Sequence, residues 1–267
     1  MSKSSANAWK LAQDFMRRQA GVVLEDDQDY LLNARLQPVA SELGFPDVPA
    51  LVVRACQGSA GSPEAKAVLD ALTTHETYFF REQAFWKGFK QEIVPALFKQ
   101  GPRPLRIWSA ACSTGQEAYS FAILLSEIAP TVVNDCEILA TDISQPVIHK
   151  AREGRYSAFE VNRGVSGSRL VRHFRQCTGG FRVRTQVRRR VSWTEHNLFE
   201  SLPTNAGQFD LILCRNVLIY FTREDRQRVE ERLISHLSPG GFIGIGCAER
   251  SAGSKLTSVC PGWYRKS

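Results

Sequence analysis

Arg106–Tyr119, RIWSAACSTGQEAY, is the stretch on which the reading of this chain turns. A β-branched and aromatic pair, Ile107-Trp108, runs into small residues from Ser109 to Gly115, and an amphipathic helix starts near Gln116-Glu117. A strand that passes through small side chains into a helix start lets the backbone approach a ligand closely. Further on, a second hydrophobic run, Cys136–Ala140, ends in Thr141-Asp142. In open α/β sheets an acidic residue at the end of the second strand is the usual acceptor for ribose hydroxyls. Together the two segments predict a nucleoside-containing cofactor, with Asp142 as its ribose ligand. Asp142 can equally serve as an N-cap for the helix at 145–152. The glycine fingerprint G-x-G-x-x-G is absent after Trp108, where only Gly115 stands, which argues against a nicotinamide dehydrogenase.

Outward from this segment the pattern alternates. Strand-like runs at Leu105–Ser109, Glu137–Ala140, Phe209–Cys214 and Phe242–Cys247 are separated by helical patterns at 116–129, 145–152 and 223–236. Strands alternating with helices predict a mostly parallel sheet covered on both faces, hence an α/β, Rossmann-like domain. Residues 7–75 instead read as helices: Trp9, Leu11, Phe15 and Met16 form one apolar face, and Tyr30-Leu31-Leu32 with Leu36 and Val39 another. Gly101-Pro102-Arg103-Pro104 reads as a linker. The expected division is an all-α N-terminal domain over 1–95 and the α/β domain over 96–267. Within the latter, Thr178-Gly179-Gly180 followed by the alternating Phe181–Val187 predicts a small antiparallel β-subdomain inserted at 159–195, with a strand at 191–195. Leu237–Gly241 reads as a helix-ending turn.

The chain has 267 residues, 43% of them hydrophobic and 23% charged, as in ordinary globular proteins. No run approaches the roughly 20 apolar residues that span a bilayer, and the first residues lack a signal peptide's apolar core. Seven scattered cysteines form no C-x-x-C pair, which argues against zinc and a disulfide framework. No metal is expected, and the location expected is cytoplasmic. The formal net charge of +7 implies an acidic partner. Arg182, Arg184, Arg188, Arg189 and Arg190 crowd together, with Arg169, Arg172 and Arg175 nearby. One such arginine is ordinarily a solvated surface group, but the cluster reads as a docking surface.

Four segments become specific when taken jointly: Leu72–Glu82, containing T-x-F-F-R-E at Thr77–Glu82; Trp108–Tyr119; Ala140–Ile143 with Lys150–Tyr156; and Phe209–Phe221, containing C-R-N-V-x-I-Y-F, with Leu237–Gly241 after it. In order and spacing, over essentially the whole chain, they resemble the CheR family of S-adenosylmethionine-dependent chemotaxis receptor methyltransferases. The resemblance implies a helical N-terminal domain, a methyltransferase domain and an inserted β-subdomain. It implies methyl transfer to glutamate side chains on chemoreceptor cytoplasmic helices, giving γ-glutamyl methyl esters and S-adenosylhomocysteine. It also implies that Arg81 lies close to the transferred methyl group, that Thr77 reaches the cofactor, that Glu117 contacts it and that Asn197-Leu198 line the adenine. His75 stands where many members carry asparagine; a cofactor contact and a capping or packing role are both open to it. Arg215, Asn216 and Tyr220 lie at the carboxyl end of a strand, where ligands of open α/β sheets bind; Arg215 and Asn216 are expected at the cofactor, and Tyr220 either hydrogen-bonds the substrate carboxylate or caps the hydrophobic run Val217–Phe221. Phe79 and Phe80 are read as packing.

A glutamate side chain is already ionised at neutral pH, so methyl transfer to it needs alignment and exclusion of water but no general base. Arg81, with a guanidinium fork suited to carboxylates, is the expected group orienting the substrate carboxylate or the cofactor; its alternative is a surface ion pair with Glu76 or Glu82. Some members of the family hold a receptor tail peptide on the β-subdomain by strand addition, with a longer loop than Thr178-Gly179-Gly180-Phe181. The short loop here predicts no tail-peptide tether and direct docking on chemoreceptor cytoplasmic domains through basic residues. The chain is expected to act as a monomer, without nucleic acid and without membrane insertion. The alternative is a methyltransferase acting on RNA or a small molecule.

Overall fold

The computed structural model describes residues 3–25, 29–99, 103–131, 134–203, 206–247, 249–251 and 255–267. Contacts divide them into two compact units. One takes the chain as far as Thr74 together with Tyr220–Asp225; the other takes His75–Ile219 and Arg226–Ser267.

The first unit is helical, with helices Lys3–Ala20, Asp29–Glu42, Val48–Gln57 and Pro63–Leu72. Ala8, Ala12, Phe15 and Met16 recur at three- and four-residue spacing and are buried with Leu36, Leu51 and Val68. The apolar face expected from Tyr30 is narrower than the sequence suggests, since Tyr30 is exposed while Leu32 and Leu36 are buried. Asp47 and Ser62 cap the third and fourth helices, accepting from the N–H of Ala50 at 2.8 Å and of Ala65 at 3.2 Å. An antiparallel bridge between Val22 and Phe221 ties the 220–225 segment to this unit.

The second unit carries ten strands: β1 Arg106–Ala110, β2 Glu137–Asp142, β3 Arg155–Tyr156, β4 Phe174–Cys177, β5 Gly180–Val183, β6 Val191–Glu195, β7 Phe209–Leu213, β8 Leu237–Gly244, β9 Leu256–Cys260 and β10 Trp263–Lys266. The large sheet runs β6-β2-β1-β7-β8-β10-β9. Its first five strands are parallel, and β10 and β9 close it antiparallel. Chain order reverses between β1 and β7, so the crevice at the carboxyl ends of these strands is the topological switch point where open sheets bind ligands. The Rossmann-like architecture expected from the alternation is present.

The boundary between the units lies ahead of the expected one at 95/96. Helices Gln83–Gly88 and Val94–Leu97, with the turn between them, bury Phe85, Trp86, Phe89 and Ile93 in the core of the sheet unit. Phe85 stacks on Trp263 with ring centroids 4.4 Å apart, and its carbonyl accepts from the Trp263 indole N–H at 3.0 Å. Of the expected linker, Gly101 and Pro102 lie outside the described residues.

A second, three-stranded antiparallel sheet has the order β3-β5-β4. This is the expected β-subdomain with different edges. Val191–Glu195 is not part of it, because these residues pair in parallel with Ile138–Asp142 as the edge of the large sheet. The alternating run Phe181–Val187 stops being strand at Val183, and Thr185–Arg188 is a helical turn. Both glycines of the hairpin have a physical reason. Gly179 takes a φ of +81° in the turn, and a Cβ on Gly180 would sit 2.2 Å from the Tyr156 carbonyl of β3. Leu237–Gly241 is not a free turn either: it opens β8, with Leu237 already paired to Phe209 and an irregularity before Phe242. Among the described residues no helix is long and apolar enough to cross a membrane.

Candidate active site

The loop after β1 is held in an unusual conformation. Ala111, Ser113 and Gly115 have φ of +57°, +50° and +92°, and left-handed non-glycine residues are uncommon. The Ser113 N–H donates to Asp142 Oδ2 at 2.8 Å, the Ser113 hydroxyl to the His75 carbonyl at 2.8 Å, and the Cys112 N–H to the Thr141 carbonyl at 2.9 Å. Gly115 serves packing rather than ligand approach, since a Cβ there would meet Ala151 and Trp193 at 2.8 Å. Gly115→Ala is therefore expected to cost about 2–4 kcal/mol, combining left-handed strain with overpacking. Urea unfolding measures it, and a loss below about 0.5 kcal/mol contradicts this account.

Asp142, at the end of β2, is 6% exposed. Besides Ser113 it accepts from the Ser144 N–H on Oδ1 at 3.1 Å. Ser144, and not Asp142, caps the following helix, accepting from Val147. Asp142 thus links the loops after β1 and β2. Its carbonyl accepts from the His196 N–H at 2.8 Å, which brings the end of β6 alongside. Beyond it, Asn197 Oδ1 accepts from the Phe199 N–H at 3.0 Å, and Leu198 is buried with its carbonyl on Arg232.

Glu117, in the first turn of helix Gln116–Ile128, takes the Ser109 hydroxyl on Oε1 at 2.8 Å and Arg215 Nη1 on Oε2 at 3.1 Å. Arg215 follows β7 and its side chain is 1% exposed. Its Nη2 donates to the Arg81 carbonyl at 2.8 Å and reaches Glu82 Oε2 at 3.2 Å, while the guanidinium lies 3.8 Å from the Phe85 ring centroid. Glu82 also accepts from Asn216 Nδ2 at 2.9 Å and from the Cys247 N–H at 2.8 Å. Burial pushes the Glu82 carboxyl up, but Asn216, the Cys247 amide and the Arg215 charge outweigh it and hold it at about 2. Asn216 sits at a φ of +57°, and its N–H donates to the buried Glu249 at 2.9 Å.

Arg81 itself makes little structural use of its side chain. Nη1 donates to the Glu76 carbonyl at 3.0 Å and the guanidinium lies 5.6 Å from the Tyr78 ring. Neither surface ion pair weighed for it, with Glu76 or Glu82, forms: Glu76 pairs with Arg163 and Glu82 with Arg215. His75 and Thr77 are half-buried, and Phe79 and Phe80 are buried as packing groups. Tyr220 belongs to the helical unit, where its carbonyl accepts from the Val23 N–H at 2.9 Å.

The structure thus gathers Arg81, Glu117, Asp142, Asn197, Leu198, Arg215 and Asn216 on the carboxyl ends of β1, β2, β6 and β7 and on the segment before helix Gln83–Gly88. Two acids were missed as members of this network. Glu82 was read only as a surface partner of Arg81, although it follows directly in the T-x-F-F-R-E motif. Glu249, 3% exposed, lies in a polar C-terminal stretch that offers no periodic signal. Around the crevice, burial pushes the Cys112 and Cys214 thiols well up, and burial with the adjoining Glu82 carboxylate takes Cys247 to about 11, so none of the three is a ready thiolate. Among the described residues no group of His, Cys, Asp and Glu is placed to hold a metal.

Residues 75–260 match the family described as CheR methyltransferase, SAM binding domain. Chemotaxis protein methyltransferase 1 of Pseudomonas aeruginosa is 36% identical over 253 residues, 92% of this chain and 91% of that one. Chemotaxis protein methyltransferase Cher2 of Pseudomonas putida is 33% identical, covering 88% of this chain and 87% of its own. Among solved structures, the N-methyltransferase NodS of Bradyrhizobium japonicum with S-adenosyl-L-homocysteine covers 62% of this chain and 63% of its own, at 15% identity and a TM-score of 0.34.

Proposed function

The chain belongs to the CheR methyltransferase family, and from that premise we propose that it is a protein-glutamate O-methyltransferase acting on the cytoplasmic helices of chemoreceptors. The observation that carries the proposal is the buried Arg215 shared between Glu117 and Glu82 at the switch point. One guanidinium between two carboxylates leaves a net negative charge that suits a cationic cofactor, and the groups are already engaged with one another, suited to orienting ions rather than moving protons.

When bound, S-adenosylmethionine supplies an electrophilic methyl carbon on a positively charged sulfur. The residues present fit such a group. Glu117 offsets positive charge near the β1 loop, with Ser109 and Arg215 fixing its two oxygens. Asp142, its carboxylate fixed by Ser113 and Ser144 at the end of β2, would take the ribose hydroxyls. Asn197 and Leu198 would offer a wall for the adenine, and His75 and Thr77, in the segment before Arg81, would contact the cofactor. Arg215 and Asn216 would stand at the cofactor's amino-acid end, Arg215 acting through Glu117 because its own side chain is buried.

Arg81 would receive the substrate carboxylate and align it with the methyl carbon. The acceptor is ionised without help at neutral pH, so the site's task is orientation and exclusion of water. The same proposal includes a cytoplasmic location, action as a monomer, and receptor engagement without a tail peptide, in keeping with the tight Thr178-Gly179 turn.

Incubation with labelled S-adenosylmethionine and receptor cytoplasmic fragments tests the reading. Label that is released as methanol in mild alkali is the expected result. Label that survives alkali, or that enters RNA or a small molecule instead, overturns it.

A further inference from the structure

The small sheet carries a row of like charges. Arg155 of β3 pairs directly with Arg182 of β5, and Arg182 with Arg175 of β4. Directly opposed residues project from the same face of an antiparallel pair, and like charges there are destabilising. Arg155 and Arg175 are exposed, whereas the Phe174–Val183 pair is buried. Arg188 lies beside the row: burial, then the charges of Arg182 and Arg175, hold its guanidinium below its usual range. Its Nε is buried without a hydrogen-bond partner among the described residues.

No carboxylate among the described residues neutralises these four arginines. Glu160 is the only Asp or Glu between Arg155 and Arg190, and it pairs with Lys150 at 2.6 Å. The flanking Glu127 pairs with Arg169 at 2.7 Å, and Glu153 lies 3.7 Å from His149, a contact that is an ion pair only when the imidazole is protonated; none of the row's guanidinium groups is within ion-pair distance of Glu153. Arg182 Nε is satisfied only by the Glu153 carbonyl at 2.9 Å. The repulsion in the row is therefore left for a partner to relieve.

Geometry selects the kind of partner. The row crosses the strands, with neighbouring arginines about 4.8 Å apart in backbone spacing. Residues at i and i+3 or i+4 of an α-helix have Cβ atoms about 5–6 Å apart, so acidic side chains there can reach successive arginines. A helix laid across the strands matches the row. A peptide adding to a sheet edge runs along the strands and meets one arginine of the row, Arg155 on the two-residue β3 edge or Arg175 on the four-residue β4 edge.

We propose that Arg155, Arg182 and Arg175, with Arg188, form a docking surface for an acidic α-helical face of the receptor substrate, crossing the three-stranded sheet. This rests on the reading of the chain as a receptor methyltransferase.

The test uses the full chain, wild type and Arg155→Glu/Arg175→Glu, at two salt concentrations. Three probes are titrated: a helical peptide with glutamates at i, i+4 and i+8 on one face, the same composition scrambled to break that spacing, and S-adenosylmethionine. The wild type is expected to prefer the patterned peptide and to lose it in high salt. In the variant, patterned-peptide affinity is expected to fall roughly tenfold or more, with S-adenosylmethionine affinity unchanged as the check on folding. With receptor fragments, KM is expected to rise by a similar factor at constant kcat. Arg175→Gln is expected to unfold no earlier than wild type, because it removes repulsion, while still weakening peptide binding.

Unchanged peptide affinity and KM in the charge-reversed variant overturn the proposal. So does row-dependent binding of a receptor tail peptide in preference to the helical one. Failure of the wild type to methylate any receptor fragment instead sinks the methyltransferase reading, and the peptide titrations still decide whether the row binds acidic helices.

Discussion

Arg81→Ala is expected to lower kcat for receptor methylation by about 10³-fold, the scale of losing a fixed charged donor at a reacting group, while leaving the fold intact. The separation follows from how Arg81 is used. Its carbonyl is structural, accepting from the Trp86 indole at 2.9 Å and from Arg215 at 2.8 Å, and alanine keeps that carbonyl. Its side chain holds only one bond to a main-chain oxygen and a distant ring, so truncation is expected to change the unfolding free energy by less than about 0.5 kcal/mol, as for other lightly engaged surface groups. Arg81→Lys is expected to recover little, since an ammonium is a point charge and cannot grip a carboxylate with two parallel bonds. Turnover, cofactor affinity by calorimetry and urea unfolding are measured together. Near-normal kcat in a well-folded Arg81→Ala protein removes Arg81 from the reaction.

The two segments that point to the cofactor, Arg106–Tyr119 and Cys136–Asp142, are legible in the sequence because their signal is local. Small residues between a strand and a helix, and an acid ending the next strand, are set by short-range pattern, and Asp142 does join the two loops. Val191–Glu195 was credited to the insert because it is the outer strand of the sheet. Its residues after Val191 are half or fully exposed, so nothing in their polarity says which sheet they join. The C-terminal hairpin of β9 and β10 escaped the sequence reading for the same reason: no residue of Leu256–Cys260 is fully buried. The acidic network behind Arg215 was beyond any local signal. Glu82, Asn216 and Glu249 come from three distant segments, and their meeting depends on left-handed turns at Glu82 and Asn216. The sequence places Arg215 at the end of a strand, but its burial between two carboxylates is a property of the folded chain.

That burial makes Arg215→Met the most destabilising change proposed for the crevice. Removing one partner of a buried ion pair leaves uncompensated charge, at about 3–5 kcal/mol, and here two carboxylates lose the same cation. Acid should narrow the gap. In the wild type the Glu82 carboxyl sits at about 2 in the folded chain, below the roughly 4.3 of an unfolded glutamate. Its stabilisation is complete above the unfolded value and is lost as pH falls through about 2. Without Arg215 one of the forces holding that carboxyl down is gone, although Asn216 and the Cys247 amide remain. The folded value then lies nearer the unfolded one, and the variant loses less stability than wild type over this window. Urea unfolding near pH 7 and near pH 3 should therefore show a smaller penalty for Arg215→Met at the lower pH. Adding Glu82→Gln should recover part of the loss at neutral pH, as a coupling energy in a double-mutant cycle. A penalty under about 1 kcal/mol, below that of ordinary buried ion pairs, or a penalty that does not change with pH, would falsify this picture of the site.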